Sequence, residues 1–60
     1  MEYVKYRLYR KQELQHESTD INQCYFALQR KQSQSADWAM KYEGWRIVGV
    51  DNKGNEHKTN

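Results

Sequence analysis

Sixty residues with 37% hydrophobic side chains make one domain at most. A chain this short buries only about 60% of its unfolded surface, which excludes a large enclosed pocket and an elaborate desolvated active site. A net charge of +2 is too mild to demand a nucleic-acid partner, a single cysteine excludes an internal disulfide, and the chain lacks an apolar run of signal-peptide or membrane-spanning length, so a cytoplasmic, reducing location without membrane contact is expected.

Residues 3–12 alternate with a period of two, Val4, Tyr6 and Leu8 on one face and Tyr3, Lys5, Arg7, Tyr9 and Lys11 on the other, which predicts a half-buried first strand. The polar run from 14 to 21 then reads as a loop, acidic through Glu13, Glu17 and Asp20 and set beside the basic strand. His16 and His57 have no Cys, Asp or Glu at ligand spacing, so no metal site and no cofactor is expected.

Residues 22–31 carry both periods. Cys24, Phe26 and Leu28 alternate as in a strand, whereas Ile21, Cys24, Tyr25 and Leu28 fit a helical stripe with Asp20 as cap and Gln23 at capping-box spacing. Gln32-Ser33-Gln34-Ser35 is a poor middle for a helix running to Glu43 and a good entrance to a short one, so the strand is the favoured reading.

The next stretch reads as a capped helix, a glycine stop and a core strand. Ser33 or Ser35 can accept from first-turn amides, Ala36, Ala39 and Met40 recur at helical spacing, and Gly44 supplies left-handed backbone. Residues 45–50 are too apolar and β-branched for a loop. Trp45 and Ile47 alternate with Val48 and Val50, so either a bulge at Gly49 returns Val50 to the inner face or the two valines form an outer apolar patch. Asp51-Asn52-Lys53-Gly54 predicts a turn into a short strand at 55–58, with the last residues, 57–60, fraying.

The predicted fold is α+β: an antiparallel three- to four-stranded sheet with one helix on one face, ordered β-β-α-β with a short last strand, or β-α-β-β in the helical version of 22–31. Its predicted core is Val4, Tyr6, Leu8, Cys24, Phe26, Leu28, Ala36, Ala39, Met40, Trp45 and Ile47.

The serine-capped helix with Ala36 and Ala39, followed by Gly44-Trp45, Ile47 and Val50, resembles small phage-encoded proteins, among them the short early proteins with which some phages inhibit bacterial RNA polymerase. The resemblance covers roughly residues 24–51 and leaves out the basic first strand. It implies an accessory protein that docks on a host enzyme without catalysis of its own, and it assigns no binding residue.

The residues themselves offer one functional surface, the outward face of the predicted hairpin: Tyr3, Lys5, Arg7, Tyr9 and Lys11 with Tyr25, Gln29 and Lys31. Cations interleaved with aromatic rings suit an acidic protein patch or a single-stranded nucleic acid, and equally an ordinary solvated sheet face. Trp38 falls off the small-residue seam of its helix and is a hot-spot candidate. Cys24 in its apolar alternation reads as a small core residue. A larger bacterial protein is therefore the expected partner, nucleic acid the alternative, a homodimer a further outcome, and no small-molecule substrate is expected.

Overall fold

The computed structural model describes residues 3–59. The elements follow in the order β1 (Lys5–Arg10), β2 (Glu13–Ser18), α1 (Ile21–Lys31), α2 (Ala36–Tyr42), β3 (Trp45–Val50) and β4 (Glu56–Lys58). All strand pairs are antiparallel and the sheet order is β2-β1-β3-β4, with the two helices on one face. The fold is α+β, as its sequence predicts, with two helices in place of one. No helix among the described residues is long and apolar enough to cross a membrane.

β1 forms where the period-two pattern places it, trimmed to six residues, and carries Leu8 to the centre of the core. The expected polar loop after it is instead β2, joined through a two-residue turn at Lys11-Gln12. Lys11 adopts φ +56°, and its N–H donates to Gly44 O at 2.8 Å, tying the turn to the end of α2. β2 buries none of its residues, and so leaves no hydrophobic alternation to read. A register shift opposite Leu8 and Tyr9 leaves Gln15 without a β1 partner.

Residues 22–31 are helical, and the favoured strand reading is corrected. β2 occupies the edge of β1 that this segment would have paired with, so its apolar residues reach the core only along a helical stripe. Cys24 and Leu28, four apart, are fully buried, with Ile21 and Tyr25 packed beside them. Phe26 turns outward and leaves the core. Asp20 Oδ1 accepts from Asn22 N at 2.9 Å at the start of α1, and Arg30 and Lys31 lie in its last turn, where cations meet the helix dipole favourably. The helix does not run on to Glu43. Gln32 is extended, and its side chain accepts from Gln34 N and donates to Gln34 O, both at 2.7 Å, which holds the break between α1 and α2.

Ser35 caps α2, its Oγ accepting from Trp38 N at 3.2 Å. Ala39 is buried, with Ala36 and Met40 beside it, so α2 packs two alanines and a methionine toward the core. Gly44, at φ +76°, ends this segment as expected.

β3 pairs with β1 without interruption from Lys5↔Val50 to Arg10↔Trp45, so no bulge forms at Gly49. Gly49 has a different role: a Cβ there would overlap the Tyr3 ring, which lies between Tyr6 and His57 at ring-centre distances of 6.0 and 5.8 Å. Trp45 and Ile47 face the helices, while Val48 and Val50 face the other way. Both valines are nonetheless buried, opposite Arg7 and Lys5 in the register, where long aliphatic stems can cover them, so neither alternative predicted for this strand is realised. Val4, placed in the core by its alternation, is exposed, and Tyr6, Ala36 and Met40 are only partly buried.

The turn at 51–54 forms, with Gly54 at φ +86°, and β4 begins at Glu56. Asp51 organises it. Its Oδ1 accepts from Lys53 N at 2.9 Å and Asn55 N at 3.0 Å, and its Oδ2 lies 2.9 Å from His57 Nε2. His57 is therefore a strand residue with a carboxylate partner, and the expected fraying at 57–59 is replaced by pairing and by a bond from Thr59 Oγ1 to Ile47 O at 3.2 Å; Asn60 lies outside the described residues.

Candidate functional site

Of the predicted basic face, Lys5, Arg7 and Tyr9 stand together on the side of the sheet away from the helices. β2 and β4 bring carboxylates to them. Arg7 Nε donates to Glu17 Oε2 at 2.7 Å and Nη1 to Glu56 Oε2 at 2.8 Å, while Lys5 Nζ lies 3.6 Å from Glu17. The Tyr9 hydroxyl donates to the same Glu56 oxygen, and the Arg46 guanidinium sits 4.5 Å from the Tyr9 ring centre and donates to Lys11 O.

The electrostatics follow from these bonds. Glu17, then Glu56, raise the Arg7 pKa above its ordinary value; Arg7 holds the Glu17 carboxyl low, and the bonds from Tyr9 and Arg7 do the same for Glu56. Glu56 in turn pushes the Tyr9 phenol up. A guanidinium already shared between two carboxylates has less to offer a phosphate than its position in the sequence implies.

The other residues of the predicted surface are dispersed. Tyr3 packs over Gly49 on the helix side, and Lys11 lies in the β1–β2 turn. Tyr25 leans on the core from α1, Lys31 ends that helix, and Gln29 lies on it as well, because the segment carrying these three is not the second strand of a hairpin. Trp38 is on α2, 41% exposed. Glu17, Glu56 and Arg46 join the sheet face from outside the predicted set; only their alternation within β2, β4 and β3 signals where they point.

The largest exposed aromatic feature is on α2. Trp38 and Tyr42 are four residues apart, with ring centres 5.4 Å apart; Tyr42 is 63% exposed, and Lys41 Nζ lies 5.5 Å from its ring centre. The helical spacing of Trp38 and Tyr42 is the sequence signal for this pair. Trp45, seven residues beyond Trp38, is by contrast 4% exposed in the core, and its indole N–H has no acceptor among the described residues.

Cys24 and Asp51 are engaged in the fold itself. Cys24 is fully buried, and burial, with the nearby Asp20 charge, raises its thiol pKa, the opposite of what a reactive thiolate needs. Asp51 is held low, at about 2, by His57 and by the amides of Asn55 and Lys53 that it organises. No cluster of three or more His, Cys, Asp or Glu able to hold a metal occurs among the described residues. Comparison of the chain with protein-family models, with curated proteins and with solved structures gives no match.

Proposed function

We propose that the chain is a small non-enzymatic accessory protein that docks on a larger bacterial protein, in the manner of phage proteins that modulate a host enzyme, with Trp38 and Tyr42 of α2 as its anchor. The supporting observation is the tilted ring pair itself: a seven-residue helix packs Ala39 into the core and leaves Trp38 41% and Tyr42 63% exposed along its flank. Tryptophan and tyrosine dominate binding energy at protein interfaces because each buries a large rigid area at low entropic cost. The sheet face with Lys5, Arg7 and Tyr9 is the lesser candidate, since Glu17 and Glu56 already engage its central cation.

The test is capture from a bacterial lysate, with and without nuclease, by the wild-type chain and by a Trp38→Ala/Tyr42→Ala variant. The expected result is a stoichiometric protein retained after nuclease by the wild type and lost by the variant. Capture of nuclease-sensitive material alone would bring forward a nucleic-acid-binding function, and equal capture by the variant would move the binding surface away from α2.

A further inference from the structure

We propose that the free edge of β2, with the groove beside it, takes an extended acidic peptide segment of a partner protein as a fifth strand of the sheet. β2 is the outer strand in the order β2-β1-β3-β4, and its outward backbone groups pair with no strand among the described residues. An edge of this kind is a template for strand addition, in which main-chain hydrogen bonds supply affinity and alternate side chains supply specificity.

α1 lies along the same flank and turns the edge into a groove of about 280 Å³, lined by Gln15 and His16 of β2 and by Gln23, Phe26, Arg30 and Lys31 of α1. Phe26, 52% exposed, provides an apolar surface within it. Arg30 and Lys31 make no ion pair among the described residues, and no carboxylate lines the groove. Glu17, the nearest acidic residue in β2 to His16, is drawn to the other side of the sheet by Lys5 and Arg7, so it does not offset these cations within the groove.

The spacing suits an alternating segment. Phe26 and Arg30 stand four residues apart along α1, about 6 Å. Side chains two apart on one face of a strand are spaced by about 6.6 Å. An apolar side chain against Phe26 and a carboxylate two residues away near Arg30 and Lys31 therefore satisfy both groups from one strand. The site is separate from Trp38 and Tyr42 and does not rest on docking through them.

The test is selection from a displayed library of random octapeptides on the immobilised full chain, followed by amide-exchange mapping with the selected peptides. The expected peptides alternate Asp or Glu with apolar residues and slow exchange across β2. They bind at least about tenfold more weakly to Arg30→Glu/Lys31→Glu, a loss expected on reversing close interfacial charges. Should charge reversal impair folding by circular dichroism, Arg30→Gln/Lys31→Gln gives the same comparison with a smaller loss. The proposal is overturned if nothing is enriched, if selected peptides are neutral or basic, if they perturb only Trp38 and Tyr42, or if charge changes leave affinity intact. Concentration-dependent self-association that protects β2 in the absence of peptide would also overturn it, by assigning the edge to a second copy of the chain.

Discussion

Arg7 and Glu56 are 49 residues apart in the chain and 2.8 Å apart in the fold, with Glu17 closing on the same guanidinium from the other side at 2.7 Å. In the antiparallel order β2-β1-β3-β4, Glu17 comes from the strand beside β1 and Glu56 reaches Arg7 across β3 from the far edge, which turns a row of cations into a paired network.

The first prediction concerns that network. Because Arg7 is already shared, Arg7→Ala should change the affinity for a single-stranded oligonucleotide by less than about twofold, whereas Glu17→Gln/Glu56→Gln should strengthen it and steepen the salt dependence by about one unit for each phosphate that the freed cations engage. Fluorescence anisotropy at two ionic strengths measures both. A large loss in Arg7→Ala would make the sheet face a nucleic-acid site.

The two tryptophans should separate in stability. Trp45 is in the core, and Trp45→Ala should cost about 3–5 kcal/mol. That is comparable to the whole stability of a domain this size, about 3–9 kcal/mol, so the variant should be largely unfolded. Trp38→Ala should cost less than about 1 kcal/mol, as at most exposed positions. Urea denaturation followed by circular dichroism distinguishes the two, and a large loss in Trp38→Ala would mean that its ring supports the fold.

Acid should loosen the β3–β4 turn through Asp51. Its pKa is about 2 in the folded chain against an ordinary value of 3.8. A carboxyl lowered on folding contributes stability that is fully present above its unfolded pKa and is lost as pH falls through the folded one. The window is therefore from 3.8 down to about 2, and the lowered Glu17 and Glu56 act with the same sign. Asp51→Asn should give a shallower dependence of stability on pH in that window, measured by chemical denaturation at stepped pH; an unchanged slope would show that Asp51 does not govern it.

Gly49 is required by space, not by backbone angle. Gly49→Ala drives a methyl group into the Tyr3 ring and should cost about 1–3 kcal/mol, the usual range for overpacking. In a Tyr3→Ala background the same substitution should cost much less. A double-mutant cycle by urea denaturation reads the coupling, and additive costs would remove Tyr3 from the explanation.

Lys11 carries the opposite expectation. A non-glycine residue at φ +56° is disfavoured by about 1–2 kcal/mol, and glycine returns about 0.5–1 kcal/mol of that as unfolded-chain entropy, so Lys11→Gly should raise stability by about 0.5 kcal/mol. A higher urea midpoint with unchanged slope is the expected reading; a lower midpoint would mean that the Lys11 side chain, packed toward Gly44, contributes more than the backbone costs.

What could be read from the chain alone were features whose causes lie within a few residues. The alternation of β1, a serine cap at 33 or 35 that the fold places at Ser35, the left-handed Gly44, the apolar run of β3 and the turn ending at Gly54 are each set by local sterics, local hydrogen bonds or side-chain period, and all are present in the fold. Trp38 as a partly exposed ring was equally legible, because Ala36, Ala39 and Met40 take the core-facing side of its helix.

The remainder was decided by competition among distant segments. Residues 22–31 support either period, and they are helical because β2 holds the edge of β1 they would have paired with. β2 itself was invisible, since an edge strand that buries none of its residues leaves no hydrophobic pattern and is held by backbone pairing and by Glu17 on Arg7. That one exchange moved Phe26 from the core to a groove, carried Tyr25 and Lys31 away from the basic face and brought Glu17 into it. Side-chain period and capping act over one or two turns and so are written in the sequence; which strand wins an edge, and which charges then meet across it, depends on the free energy of the whole sheet.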